Sequence, residues 1–100
     1  MTDPVVITGI ARTPMGAFKG AFADIAAPDL GAVAIRAAMS EANVAADDVE
    51  QVVMGCVLPA GQGQAPARQA ALGADLPKAA EAVTVNKMCG SGMQAAIMAH

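Results

Sequence analysis

The sequence is poor in aromatic and basic residues. It contains no Trp or Tyr and only two Phe, and six Lys and Arg stand against nine Asp and Glu, which gives a formal net charge of -3. Proteins that bind nucleic acid usually combine a basic surface with aromatic side chains that stack on bases. Because both features are missing, we predict that nucleic acid is not a partner.

Cysteine pairs, histidine and long apolar runs are scarce as well. The chain has two cysteines, Cys56 and Cys89, no CxxC pair, and one histidine, His100. A zinc site built within the chain would lack ligands, so we predict no metal site and interpret both cysteines as free thiols. No apolar run approaches the roughly 20 residues of a membrane-spanning helix, and no basic leader precedes the first apolar stretch. We therefore expect a cytoplasmic protein without a membrane partner.

Small and medium-sized apolar residues dominate what is present. Hydrophobic residues make up 55% of the chain, and the mean hydropathy is +0.46. Short β-branched runs alternate with helical repeats, which predicts a single α/β domain of order βαβαβα with parallel strands. The predicted strands lie at 5–10, 52–58 and 81–86, and the predicted helices at 28–42, 66–72 and 93–100.

Helix start and stop signals support this order. Pro28 suits a first helical turn, and Asn43 and Gly73 suit the position just beyond a helix end. The last helical pattern reaches His100 without any stop signal. We therefore expect residues 1–100 to form the incomplete opening part of a larger domain.

Cys89 stands between the third predicted strand and the last helix, in the stretch VTVNKMCGSGMQAA (83–96). In parallel α/β sheets, ligands bind beyond the carboxyl ends of the strands, where loops lead into helices. The small residues Gly90, Ser91 and Gly92 would let a bulky acyl group reach the sulfur. In this geometry the N–H of Cys89 is a candidate oxyanion donor. This combination is what a nucleophile that carries an acyl group needs, but the pattern alone does not favour it over a packing cysteine.

Two other interpretations of this stretch stay open on composition and spacing alone. A lone cysteine before a helix is often a buried packing residue. The segment GSGMQA (90–95) also fits the GxGxxA pattern of a dinucleotide-binding module, although that fingerprint normally opens the first βαβ unit. A nucleophile would also need an activating base, because a helix N-terminus stabilises a thiolate by only about 1 kcal/mol. His100 lies about 16 Å away along the predicted helix and cannot act as that base.

Three segments resemble the thiolase family, in the order expected for it. They are ARTPMGAFKGAFAD (11–24), VVMGCVLPAGQGQAPARQAALGA (52–74) and VNKMCGSGM (85–93). The third resembles the acyl-cysteine signature and implies that Cys89 is the catalytic nucleophile. One departure is Ala65, which stands where many thiolases carry Asn.

The resemblance implies a layered αβαβα fold of two similar halves, of which this chain supplies the opening βαβαβα part. It also implies acyl transfer through Cys89, with acetyl-CoA, acetoacetyl-CoA and CoA as substrates and no permanently bound cofactor. The activating His and a second catalytic Cys are expected in later segments. KMCGSGM (87–93) looks closer to the acetoacetyl-CoA type than to the long-chain 3-ketoacyl-CoA type, which is the alternative. A homo-oligomer, dimer or tetramer, and a role in fatty acid metabolism are further expectations.

The remaining notable side chains are interpreted as structural. Cys56 matches neither of the family's later catalytic residues, so we predict that it is a small strand residue near a loop. The other side chains are predicted to be loop anchors or packing residues: Arg12, Arg68, Met88 and Met93.

Overall fold

Helices and strands alternate along most of the chain. The computed structural model describes residues 3–100, so Met1 and Thr2, which the predicted domain 1–100 includes, lie outside the described residues. The order predicted for the chain beyond its first strand is confirmed. The elements are α1 (Ala27–Ala42), a 3₁₀ helix (Ala46–Asp48), β1 (Gln51–Gly55), α2 (Pro66–Gly73), β2 (Glu81–Val85) and α3 (Ser91–Ala99).

The ends of α1 follow the signals in the sequence. Pro28 lies in its first turn together with Asp29, whose charge is favourable at a helix N-terminus. Asn43 closes the helix in the left-handed conformation, with φ 54°, and its N–H donates to the carbonyl oxygens of Met39 and Ser40. Asparagine tolerates this conformation better than most residues, so the predicted stop is confirmed.

The sheet consists of two parallel strands in direct register. Gln51 pairs with Glu81, and the pairing continues to Gly55 and Val85. The predicted strand 52–58 is therefore right in place but too long at its carboxyl end. One further hydrogen bond continues the ladder beyond Gly55: the N–H of Cys56 donates to the carbonyl of Val85 at 2.9 Å.

Small residues allow the layers to approach closely. The core is formed by five buried residues, Ala32, Val52, Ala71, Ala74 and Leu76. The helices α1 and α2 pack so tightly that a Cβ placed on Gly31 would lie 3.0 Å from the Cβ of Ala70. The small side chains at Gly31 and Ala70 allow this close packing of α1 against α2.

The predicted first strand, at residues 5–10, is wrong for this structure. The segment forms no ladder with any other part of residues 3–100. Val6 is 67% exposed and Ile7 84% exposed. The backbone at Gly9 runs against α1 instead, where an added Cβ would collide with the carbonyl of Ala38. A β-branched run becomes a strand only where a neighbouring backbone offers hydrogen bonds.

Candidate active site

Cys89 lies in the short turn that joins β2 to α3. The strand ends at Val85, and the helix begins at Ser91 after its N-cap, Gly90. The thiol is free and the residue is exposed. Cys89 is therefore not a sealed packing residue, and its predicted position at a helix start beyond a strand's carboxyl end is confirmed.

The turn before Cys89 is tight and strained. Its backbone closes through hydrogen bonds from the N–H of Gly90 to the carbonyl of Lys87, at 2.9 Å, and from the N–H of Ser91 to the carbonyl of Met88, at 3.1 Å. Met88 adopts the left-handed conformation with φ 48°. A non-glycine residue enters this region only when its surroundings hold it there.

Side chains on both sides of Cys89 hold this conformation. The hydroxyl of Ser91, a residue that is 2% exposed, accepts a hydrogen bond from the N–H of Lys87 at 2.8 Å and donates one to the carbonyl of Met88 at 2.7 Å. Asn86 accepts from the N–H of Met88 at 3.1 Å through Oδ1. Its Nδ2 donates to the carbonyl of Val57 at 3.1 Å, which ties the turn to the loop that follows β1.

Gly55, the last residue of β1, makes room for the start of α3. A Cβ at this position would lie 2.6 Å from the carbonyl carbon of Ser91 and 2.8 Å from the nitrogen of Gly92. A Cβ atom essentially never lies this close to atoms outside its own covalent neighbourhood, so only glycine allows the helix to sit this close to the strand. The turn that carries Cys89 is thus fixed from beneath by β1.

The backbone at Cys89 is suited to binding an anion. Hydrogen bonds within the turn use the N–H groups of Lys87, Met88, Gly90 and Ser91. Among the hydrogen bonds of residues 3–100, the N–H of Cys89 donates none. An N–H group beside a helix N-terminus and an exposed thiol can donate a hydrogen bond to a negatively charged oxygen.

No activating base reaches Cys89 within the part of the chain that the structure describes. His100 is the C-cap residue of α3 and lies at the opposite end of the helix, as predicted. The Nζ of Lys87 is directed to Gln94, with 3.4 Å between Nζ and Oε1. Residues 3–100 contain no group of three His, Cys, Asp or Glu side chains that could hold a metal ion.

Comparison with known proteins decides the family. Residues 5–100 match the model of the thiolase N-terminal domain. This chain belongs to the thiolase family. The chain is 54% identical over 99 residues to an acetyl-CoA acetyltransferase of Cupriavidus necator, which covers 99% of this chain and 25% of that protein. It is 54% identical over 95 residues to acetyl-CoA acetyltransferase 2 of Arabidopsis thaliana, covering 95% of this chain and 24% of that protein.

A solved thiolase structure has the same fold over this region. The Acat5 thiolase from Ascaris suum, crystallised in complex with coenzyme A, superposes with a TM-score of 0.88 at 36% identity, over 93% of this chain and 24% of that one. The predicted thiolase-like fold is thereby confirmed for the region compared. The chain spans about a quarter of the length of the thiolases that it matches.

The other residues singled out in this thiolase sequence have structural contacts. Cys56 is half-buried and lines a cavity of about 50 Å³ between the sheet and the helices α1 and α2. Arg68 donates from Nη1 to the carbonyl of Ala80 and from Nη2 to that of Lys78, at 2.6 and 2.8 Å, which confirms it as a loop anchor. Arg12 is exposed, and among the hydrogen bonds of residues 3–100 its guanidinium donates one to the carbonyl of its neighbour, Thr13.

Two sequence predictions about packing fail in this thiolase region. Met88 and Met93 were interpreted as packing residues, but within residues 3–100 they are 68% and 73% exposed. Conversely, sequence reasoning treats Ser91 only as a small residue and does not single out Asn86. The signal that could have found both is the tendency of Ser and Asn to bond the backbone of nearby residues in turns.

None of the helices within residues 3–100 has both the length and the hydropathy to span a membrane.

Proposed function

We propose that this chain is the part of a thiolase that carries the acyl nucleophile, and that the nucleophile is Cys89. The observation that carries the proposal is the exposed thiol in a tight, hydrogen-bonded turn directly before a helix. The thiolase family match and the relatives named acetyl-CoA acetyltransferase support it. They favour it over a dinucleotide-binding module, in which Cys89 would have no chemical role.

The proposed first step transfers an acetyl group to the protein. The thiolate of Cys89 attacks the carbonyl carbon of acetyl-CoA, a carbon–sulfur bond forms, and the bond to the sulfur of CoA breaks. CoA leaves as a thiolate and takes up the proton that Cys89 lost, so no oxidation or reduction occurs. The N–H of Cys89 would stabilise the intermediate oxyanion, and one such donor contributes about 3 kcal/mol to lowering a barrier.

The proposed second step releases the acetyl group to a second substrate. A second acetyl-CoA loses a proton from its α-carbon to a base, and that carbon attacks the acetyl-cysteine carbonyl. The bond from the acetyl group to Cys89 breaks, the thiolate takes a proton again, and acetoacetyl-CoA is formed. Thiolysis is the reverse. The base that activates Cys89 and the group that handles the α-proton are proposed to lie in parts of the protein other than residues 1–100.

The second part of the proposal concerns the length of the substrate's acyl chain. We propose acetoacetyl-CoA rather than a long-chain 3-ketoacyl-CoA, which the names of the relatives from a bacterium and a plant support. The test is thiolysis by the full-length protein with acetoacetyl-CoA and, separately, 3-ketohexadecanoyl-CoA. A kcat/KM that is higher for acetoacetyl-CoA is expected, and a higher value for the long chain would assign the alternative substrate class.

The same protein tests the rival class. Acetyl-CoA is expected to label the wild type, whereas NAD is expected to leave its melting temperature unchanged. Protection by NAD without any acetyl adduct would instead establish the dinucleotide-binding module.

The cellular setting is also a proposal. We propose a cytoplasmic homo-oligomer, dimer or tetramer, in fatty acid metabolism, with CoA thioesters as its substrates and neither nucleic acid nor membrane as a partner. The coenzyme A in the Ascaris suum thiolase crystal supports the substrate class. Light scattering of the full-length protein measures the number of subunits, and cell fractionation measures the location. A monomer or a membrane-bound fraction would contradict this proposal.

A further inference from the structure

The hydroxyl of Ser91 is a buried polar group that the proposed chemistry does not use. Ser91 is 2% exposed and is the buried polar residue of the described part of the chain. Both of its hydrogen bonds go to the two residues that precede Cys89: it accepts from the N–H of Lys87 and donates to the carbonyl of Met88. The hydroxyl therefore uses both its donor and an acceptor position on the backbone of the turn.

This backbone needs to be held, because Met88 cannot hold itself in place. Its φ of 48° is disfavoured for a residue with a side chain. Its side chain is 68% exposed and contributes little packing to offset that strain. The restraints are polar instead: Asn86 accepts from the N–H of Met88, and Ser91 donates to the carbonyl of Met88.

The base of the turn is equally fixed. Gly55 of β1 lies against the backbone of Ser91 and Gly92, in a space too narrow for a methyl group. The Ser91 side chain is thus enclosed between the strand and the turn. Its hydrogen bonds to the turn therefore fix the position of Cys89 relative to the sheet.

We propose that Ser91 is a positioning residue for Cys89. Its hydroxyl sets the peptide on either side of Met88, and thereby the direction in which the sulfur and the N–H of Cys89 meet a thioester. Ser91 does not touch the substrate, because it is too deeply buried. The inference rests on the proposed function of Cys89 as the acyl nucleophile.

The first test measures acylation of Cys89 in the full-length protein in a single turnover. The rate is followed by quenching and mass spectrometry over a range of acetyl-CoA concentrations. Ser91→Ala is expected to lower the limiting rate by about 10- to 100-fold, because a small misplacement of reacting groups has effects of this size. The concentration at half-saturation is expected to change by less than about threefold, since no substrate contact is lost. A merely structural role would not separate these two quantities.

The control is Ser40→Ala, which makes the same chemical change at the other serine of residues 1–100, an exposed residue of α1. It is expected to acylate at the wild-type rate. If the limiting rate of Ser91→Ala stays within about twofold of the wild type, the proposal is overturned.

A rescue experiment tests the path through Met88. Asparagine adopts the left-handed conformation more readily than methionine. In a Met88→Asn background, the loss caused by Ser91→Ala is expected to be at least about threefold smaller than in the wild type, because the turn needs less restraint. An equally large loss in both backgrounds would overturn the proposed path. If Ser91→Ala alone does not fold, the comparison of Met88→Asn with Met88→Asn/Ser91→Ala decides, and a fall of about 100-fold or more would contradict the proposal.

Hydrogen exchange separates this inference from the proposed function, because it needs no substrate. The N–H of Lys87 donates to the Ser91 hydroxyl and is expected to exchange at least about tenfold faster in Ser91→Ala. Unchanged exchange would overturn the role of Ser91. A wild type with slow exchange at Lys87 but no acetylation would refute the nucleophile, and with it any positioning purpose. Acetylation that is insensitive to Ser91 would refute the positioning alone.

Discussion

The two strand-to-helix connections of this chain begin alike and end differently. Each follows one strand of the same parallel sheet, each contains one cysteine, and each contains a non-glycine residue in the left-handed conformation, Ala65 or Met88. The connection after β1 runs through residues 56–65, and its cysteine is half-buried beside a small cavity. The connection after β2 takes only residues 86–90, and its cysteine is exposed.

The two connections differ in the side-chain hydrogen bonds made at the start of the helix that follows. In α2, the N–H of Ala67 donates to the hydroxyl of Thr84, which belongs to β2, at 2.9 Å. In α3, Ser91 bonds the turn just before it. The first is a long-range hydrogen bond that fixes a helix to the sheet. The second is a pair of local hydrogen bonds that shape the backbone next to Cys89. Short, locally braced turns of the second kind are able to present a reactive group at a fixed angle.

The strongest way to break the comparison is to remove each sulfur in turn. Cys89→Ala is expected to lower the turnover of acetoacetyl-CoA and CoA by the full-length protein by about 10³-fold or more, because no other group in the turn can carry the acetyl group. Cys56→Ala is the matched change in the other connection and is expected to keep kcat within about threefold. Equal losses in the two variants would contradict the distinction drawn between the connections.

Filling the space below the turn is expected to have the next largest effect. Gly55→Ala introduces a methyl group 2.6 Å from the carbonyl carbon of Ser91, so the start of α3 must move. The free energy of unfolding is expected to fall by about 1–3 kcal/mol, as overpacking does, and acylation of Cys89 is expected to slow as well. Gly61→Ala is the control, because no atom lies within 4 Å of a Cβ at that position, although its φ of 78° carries its own backbone strain. Loss of stability with an unchanged acylation rate would show that the turn does not depend on this contact.

Removing the long-range tie of α2 is expected to affect stability and spare chemistry. Thr84→Val keeps the shape of the side chain but leaves the N–H of Ala67, a residue that is 2% exposed, without its acceptor. The free energy of unfolding in urea is expected to fall by about 1–2 kcal/mol. The limiting acylation rate is expected to stay within about twofold of the wild type. A selective loss of acylation would mean that Thr84, and not only Ser91, positions Cys89.

The smallest expected effect lies at Ala65, the left-handed N-cap of α2. Its φ is 48°, whereas Ala26, the exposed N-cap of α1, has φ −72°. Ala65→Gly relieves the backbone strain and is expected to stabilise the protein by about 1 kcal/mol more than Ala26→Gly does. Thermal and urea unfolding measure this difference. Equal effects of the two substitutions would remove the evidence for strain at Ala65.

The sequence predicts those parts of the fold that are coded locally. Pro28 and Asn43 predict both ends of α1, because their backbone preferences act without help from distant residues. The run at 5–10 misleads for the opposite reason. Strand formation needs a partner backbone, and a pattern of β-branched residues does not say whether one is present.

The candidate site likewise combines features that the local sequence predicts with features that depend on distant contacts. The position of Cys89 before a helix follows from the strand signal before it and the small residues after it. The burial of Ser91 and the narrow space at Gly55 depend on contacts between β1 and α3, which lie far apart in sequence. Ala65 is visible in the sequence as a departure from the Asn that the thiolase resemblance leads us to expect. Its left-handed conformation emerges only in the structure.

We propose that the sulfur of Cys89, and not that of Cys56, carries the acyl group. The most direct measurement is peptide mapping by mass spectrometry after the full-length protein has been mixed with acetyl-CoA and quenched in acid. An acetyl group is expected on the peptide that contains Cys89 and none on the peptide that contains Cys56. An acetyl group on Cys56, or turnover of acetyl-CoA with Cys89 unmodified at every time point, would contradict it.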